Sequence, residues 1–457
     1  MLNNEDFSKR RSNLVIENST LIIIALSTAF FSRLLTYFGA PSPLNFFHFF
    51  AVLIVCGVVA YTSDIGDKEH IDIAGELAFG LLLLFICMVT SAIINNSGLI
   101  NVLLQYLISA EPFILLLALV ALPVNDRIFN KLKKWFLRFC FFNLFLALAQ
   151  SVLIPAGIYP RRGGTIQDGI GGIFGGGGGS AANYISCTVS IYAALYFFTT
   201  CKSRPLWIRI GILLAAIYQA QVSDSKQVFL AFVVGGLILV LMNSVDPSKL
   251  LKYGIPTLLI IIIASWAYQN LDLAFLDAYK NWTRREGIFG LDGVATQTKI
   301  AAFPIVYSHY ETPLNWFFGI GPGHSVTRLG GWMLEKYSSL LIPLGATIHP
   351  ASAEVSQVVG SGWIAKESTI FFPLFTWAGL WGDFGFVGLA AYLYLGAIVW
   401  RRMCFNYMSK FLILSTVIFG FILTQMEEPG HMLTVAYILG LDLKEKVIVP
   451  DSNPLSS

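Results

Sequence analysis

The chain has 457 residues, of which 56% are hydrophobic and only 12% are charged, with a net charge of +3. That charge fraction is about half that of ordinary soluble domains, and with a mean hydropathy of +0.68 it excludes an ordinary soluble globular protein. The small net charge gives no electrostatic footprint for a nucleic-acid partner. Long uncharged apolar runs recur, each long enough to cross a hydrocarbon core as a helix. The predicted fold class is therefore all-α: a polytopic membrane protein with about 12 transmembrane helices and one long outer loop.

The start, Met1 to Asn13, is polar and basic and lacks a cleavage-site pattern, so the first apolar run reads as a retained span. Spans are predicted at about 14–36, 44–62, 74–94, 98–121, 136–156, 181–200, 206–222, 227–243 and 253–268. Three more follow the long loop, at about 371–400, 411–425 and 431–442. Basic residues set the orientation, because they favour the cytoplasmic side. Lys9, Arg10 and Arg11 precede the first span. Lys68, then Arg127 with Lys131, Lys133 and Lys134, then Lys202 and Arg204, then Lys249 and Lys252 fall on every second connection. Arg401, Arg402 and Lys410 continue the series, and Lys444 and Lys446 close it. Both termini are then cytoplasmic. The chain divides into an N-terminal membrane bundle (1–268), the long outer loop with amphipathic helices (269–370), C-terminal spans (371–442) and a cytosolic tail (443–457).

The six cysteines show neither a disulfide framework nor metal-ligand spacing, and no metal or cofactor is expected. The outer side holds three stretches of interest. The first carries Arg161, Arg162 and a glycine run, and enters a span through Asn183. Glycines let backbone amides approach an anion, but no Gly-Lys-Ser/Thr ending follows, which excludes a nucleotide P-loop. The plainer reading of the glycine run is a flexible linker.

The second stretch is the tight turn Ser223-Asp224-Ser225-Lys226-Gln227, which holds Lys226 near membrane depth, where a charge has a partner or a function. Asp224 is the local partner; a lipid-linked phosphate is the functional one. Both stay open.

The third is the long loop. Arg284 and Arg285 suit bidentate recognition of phosphate. Residues 296–310 read as an amphipathic helix on the membrane surface, broken at Pro304. Aromatics including Tyr307, Tyr310 and Trp316 suit either sugar stacking or the membrane interface. Lys280, Lys299, Arg328 and Lys336 read as head-group anchors. His309, His324, His349, Glu354, Glu367 and Asp383, with Glu427 and Glu428 in the last outer turn, make up the acid–base inventory. Charges within the spans are few, and Arg33, Glu76, Glu111 and Arg138 read as lying near span ends. With no internal repeat, this counts against a transporter.

These features together resemble the O-antigen polymerase and ligase family of bacterial envelope glycosyltransferases. The resemblance covers roughly residues 135–400 and rests on four patterns. Arg162-Gly163-Gly164 leads to Ala182-Asn183-Tyr184. Ser225-Lys226-Gln227 stands where members often have Ser-Arg-Gly. Arg284 or Arg285 precedes an amphipathic helix, Pro313-Leu314 and Gly319-Ile320-Gly321-Pro322-Gly323. Gly382-Asp383-Phe384-Gly385-Phe386-Val387-Gly388 is similar to the family's acidic Gly-x-x-Gly helix.

The resemblance implies a GT-C-like membrane enzyme of the inner membrane. It would transfer glycan from an undecaprenyl-diphosphate carrier on the outer face without metal or cofactor. Its partners would be the lipid-linked oligosaccharide, membrane lipid, a chain-length regulator and a flippase. Lys226 with Arg284 or Arg285 would bind the diphosphate, with Arg161, Arg162, Asn183 and Trp316 as further substrate-binding candidates. His349, Glu367 and Asp383 are the candidate catalytic groups. The His-Asn pair of the ligases has no counterpart in Phe372–Trp377, which makes a polymerase the expected member. Ligation to lipid A core and transport of the lipid-linked oligosaccharide are the alternatives.

Overall fold

A computed structural model describes residues 17–63, 67–160, 165–177, 182–243 and 287–448, together with Trp266, Asn270 and Lys280. The predicted span 253–268 and the candidates Arg161, Arg162, Arg284 and Arg285 lie outside the described residues, Trp266 apart. Among the described residues the chain is helical and has no strand. A helix covers each of the other predicted runs. We label them α1 (Asn18–Tyr37), α2 (Phe47–Thr62), α3 (Lys68–Ile94), α4 (Leu99–Ala121), α5 (Asp126–Leu153) and α6 (Ala182–Thr200). They continue as α7 (Leu206–Val222), α8 (Lys226–Asn243), α9 (Thr376–Met403), α10 (Tyr407–Ile422) and α11 (Pro429–Ile448).

Among the described residues, six helical stretches are long and apolar enough to cross a membrane: α1 to α5, with α2 extended back to Ser42, and α9 extended back to Thr369. Helices α7, α8 and α10 are apolar but shorter. The protein is thus an all-helical membrane protein.

Local chemistry sets the helix starts. Asn125 caps α5 by accepting from the Ile128 amide at 3.0 Å, and Asn406 with Ser409 forms a reciprocal capping box at the start of α10. The core packs large aromatics: the Phe136 and Tyr437 rings stack at 5.0 Å. Several polar side chains inside the bundle are paired, as a hydrocarbon solvent favours. The Tyr192 hydroxyl meets the Ser415 hydroxyl at 2.7 Å. Asn143 donates to the Ser186 carbonyl at 3.0 Å and the Ser190 hydroxyl at 2.9 Å.

Two departures from the sequence expectations place the site. The predicted amphipathic helix is two helices, Val294–Ile300 and Ala302–Ser308, and the break is at Ala301 rather than Pro304. Pro304 falls in the first turn of the second helix, where its missing N–H is not needed. The second departure concerns residues 319–331, expected in an outer loop. They are almost wholly buried and fold back into the bundle.

Candidate functional site

The buried segment begins where the short helix Leu314–Phe318 stops at Gly319, with φ 69° and ψ −160°. Gly385 inside α9 has nearly the same backbone, φ 62° and ψ −161°, and breaks that helix. This region is essentially open to glycine alone. The two breaks interlock. A Cβ on Gly319 would sit 2.3 Å from the Asp383 carbonyl carbon, and one on Gly385 would sit 2.3 Å from that of Phe317. The Ile320 amide donates to the Gly382 carbonyl at 2.8 Å and the Gly321 amide to that of Asp383 at 3.1 Å. Ser91 from α3 donates to the carbonyls of Phe318 and Asp383 at 2.5 and 2.8 Å.

Asp383 then organises the next turn. Its carboxylate accepts from the amides of Gly323 and Ser325, both at 2.7 Å, and from the Thr327 hydroxyl at 2.8 Å. The residue is 0% exposed. Its oxygens are occupied in holding residues 323–327, which makes it an anchor of this loop and a poor candidate for the base proposed from sequence.

That anchoring delivers Arg328 to the interior. Its amide donates to Glu427 Oε2 at 2.7 Å, and its guanidinium donates to the Glu427 carbonyl at 2.8 Å. Glu428 Oε2 lies 2.5 Å from Arg33 and 3.5 Å from Arg328, so two guanidiniums share one carboxylate. The Nε of Arg328 and Oε1 of Glu427 have no hydrogen-bond partner among the described residues. Burial weighs against the charge of Arg328, and Glu428 opposes that. Burial also pushes the Glu427 carboxyl up to about 8, with the Arg328 amide opposing. At neutral pH Glu427 is therefore mostly protonated.

These groups line or support a cavity of about 350 Å³. Its wall carries Arg33, Arg328, Lys336 and Glu428, so three basic side chains face one carboxylate. Trp332, Tyr337, Phe46 and Phe49 supply aromatic faces, and Tyr184, Gln425, Asn45 and His48 supply polar groups. A π-helical turn, Leu329–Met333, widens the backbone where Trp332 and Met333 meet the cavity. Behind the wall, His48 Nδ1 lies 2.5 Å from Glu111 Oε1, both residues buried. Glu111 sits midway along α4, not near a span end as the sequence suggested. The lining segments share one end of the bundle. The ion pairs of Glu76 with Arg401 and Arg402 involve the other ends of α3 and α9.

The remaining sequence candidates lie elsewhere. Lys226 pairs with Asp224 at 2.8 Å, the local partner foreseen, and does not line the cavity. Asn183 donates to the Ser223 carbonyl at 2.8 Å, stitching that turn to α6. Trp316 belongs to an aromatic cluster, 5.3 Å from Tyr307, 5.4 Å from Tyr310 and 6.1 Å from Phe386 between ring centres. His349 caps the helix Pro350–Ser361 by accepting from the Ala351 amide at 3.2 Å. Its ring lies between those of His324 and His309, at 5.1 and 5.2 Å. Burial first, and His309 second, lower its pKa. Burial takes His324 down to about 4. Glu367 is exposed at the end of the short helix Trp363–Glu367.

The head-group reading fails for three of the scattered cations. Arg328 and Lys280 are buried, and Lys299 donates to the Phe372 carbonyl at 2.7 Å and to the Ile422 carbonyl that ends α10. Sequence reasoning set aside Arg33 and Glu111 and missed His48. A charge inside the apolar run of α4 was the available signal.

No family model and no curated protein matches the chain. The class rests on fold and site: an all-helical membrane protein with a cation-lined cavity at one end of its bundle.

Proposed function

We propose that this protein is a glycosyltransferase that polymerises oligosaccharide repeat units carried on undecaprenyl diphosphate. It does so on the outer face of the bacterial inner membrane, without metal or cofactor. The observation that carries this reading is the cavity in which Arg33, Arg328 and Lys336 oppose Glu428 beside aromatic walls. Guanidiniums suit a diphosphate, and aromatic faces suit sugar rings. Fixed cations in a water-poor site stabilise charge as it grows on a leaving diphosphate. Transfer is a single inverting step, because the carboxylate on the wall, Glu428, is held by two guanidiniums.

The topology we retain is about twelve spans with both termini cytoplasmic, GT-C-like, as charge alternation supports. The resemblance adds Arg161, Arg162, Lys226, Arg284, Arg285, Asn183 and Trp316 as contacts to the carrier or glycan. A chain-length regulator and a flippase are its expected partners.

Deletion followed by electrophoresis of surface glycans tests the reading. Single repeat units where the parent strain shows a ladder support it. Loss of transfer to lipid A core supports the ligase alternative, and an unchanged pattern overturns both. The buried His48–Glu111 pair inside the bundle is the one observation that favours transport of the lipid-linked oligosaccharide instead. Transport would move glycan across liposomes without lengthening it.

A further inference from the structure

We infer that His48 is the general base of this transfer and that Glu111 is the residue that positions it; the inference rests on the glycosyl-transfer reading above. His48 is the second residue of α2 and lines the cavity with Arg33, Arg328 and Glu428. Its Nδ1 is turned away from the cavity, 2.5 Å from a Glu111 oxygen. Glu111 comes from α4, is 3% exposed and does not line the cavity. In the proposed arrangement Nδ1 donates to the Glu111 carboxylate, and that contact sets the tautomer. Nε2 is left with a lone pair on the opposite edge of the ring. Among the described residues nothing hydrogen-bonds Nε2. An imidazole held in one tautomer by a buried carboxylate, with its other nitrogen toward a substrate cavity, is the arrangement of a general base.

The cavity supplies the rest of the reaction. Diphosphate between Arg33 and Arg328 places the glycosyl phosphate bond within the same enclosed volume as His48. Two lining residues, Asn45 and Gln425, have amide oxygens with no partner among the described residues. Each can accept from a sugar hydroxyl. In the step, Nε2 takes the proton of the acceptor hydroxyl as that oxygen bonds to the anomeric carbon of the donor. The bond from that carbon to the diphosphate oxygen breaks, and its electron pair leaves with the diphosphate. Glu111 stabilises the imidazolium that forms. The proton then passes to water with the product, which restores neutral His48. One glycosidic bond forms, one glycosyl phosphate bond breaks and one proton is released.

The competing account is a buried ion pair that only clamps α2 to α4. The two accounts separate on paired substitution. Replacing both members of a buried pair is often neutral for stability, whereas removing one strands the other. The double variant His48→Gln/Glu111→Gln therefore tests chemistry without leaving a lone buried charge.

The experiment uses the full chain in liposomes with a labelled undecaprenyl-diphosphate-linked repeat unit. The wild type lengthens glycan. The double variant retains its thermal midpoint and its binding of inorganic diphosphate but loses about 10²- to 10⁴-fold in turnover. His48→Gly recovers part of its turnover when imidazole is added.

The wild-type pH profile has an acid limb that disappears in the His48 variants. The other charged groups facing His48 are Glu111 behind it, and Arg33, Arg328, Lys336 and Glu428 around the cavity, with Glu427 behind Arg328. All of these are retained in the single variant. A double variant with full turnover, or His48→Gly with no response to imidazole while the wild type is active, overturns the inference and leaves the transferase reading standing. A wild type that leaves the donor unchanged overturns both.

Discussion

Replacing Asp383 by alanine removes the acceptor on which the buried loop depends. The carboxylate accepts from the amides of Gly323 and Ser325 and from the Thr327 hydroxyl, all within 2.8 Å. The hydroxyl can rotate to another acceptor; the two amides cannot. Each buried donor left without a partner costs about 1–3 kcal/mol, so the two amides together cost about 2–6 kcal/mol. The loss is local, because Asp383 touches the loop through these bonds. In hydrogen exchange of the protein in detergent, protection across residues 319–331 should fall by roughly 30-fold to 10⁴-fold, the same free energy expressed as an opening constant. Peptides from α5 and α11 should be unchanged. Asp383→Asn keeps one acceptor oxygen and should lose about half as much in free energy. Unchanged protection of 319–331 in Asp383→Ala would refute the anchoring role and return Asp383 to the list of candidate bases.

Three further expectations follow from the same geometry. Glu427 has a folded-state pKa raised to about 8. Its contribution to stability is therefore full below the ordinary carboxylate range and is lost as pH rises through about 8. Glu427→Gln should flatten that part of a thermal-midpoint-versus-pH curve, and a slope unchanged by the substitution would refute the assignment. Gly385→Ala forces a side chain into a glycine-only conformation 2.3 Å from the Phe317 carbonyl carbon. A cost of at least about 1–3 kcal/mol should appear as a lower thermal midpoint, and a wild-type midpoint would contradict the interlocked breaks. Lys226→Ala should reduce turnover less than Arg33→Gln does, since Lys226 pairs with Asp224 outside the cavity. The reverse order in a glycan-transfer assay would move the diphosphate site to the 223–227 turn.

Composition and hydropathy made the helical membrane fold legible, because burial in lipid leaves its mark on every residue of a span. Length and polarity singled out the long loop, charge alternation set its side, and the glycines at 319–323 and 382–388 stood out only as part of the family resemblance. What those glycines do was not legible. Gly319 and Gly385 form one structure only after the chain returns across more than sixty positions, and no local pattern announces the pairing. Arg328 and Lys299 look like anchors for lipid head groups in sequence, since a cation in an outer loop is ordinarily solvated. In the fold, one enters the interior on a loop held by Asp383, and the other ends a helix.

The His48–Glu111 pair shows the same limit. Glu111 is conspicuous in an apolar run, but its partner lies 63 residues earlier, and only the packing of α2 on α4 brings the two together. The aromatics around Trp316, which in sequence suit either sugar stacking or the membrane interface, lie apart from the cavity and pack against Trp381 and Phe386.

The central claim is that the cavity bounded by Arg33, Arg328 and Lys336 holds the diphosphate of a lipid-linked glycan during transfer. The most direct measurement is made on the purified protein in liposomes, supplied with a radiolabelled undecaprenyl-diphosphate-linked repeat unit and resolved by electrophoresis over time. The account predicts glycans of increasing length, undecaprenyl diphosphate released in proportion, inversion at the newly linked anomeric carbon, and competitive inhibition by inorganic diphosphate that weakens in Arg33→Gln. Donor recovered unchanged from the wild type, or lengthening that Arg33→Gln and inorganic diphosphate leave untouched, would contradict it.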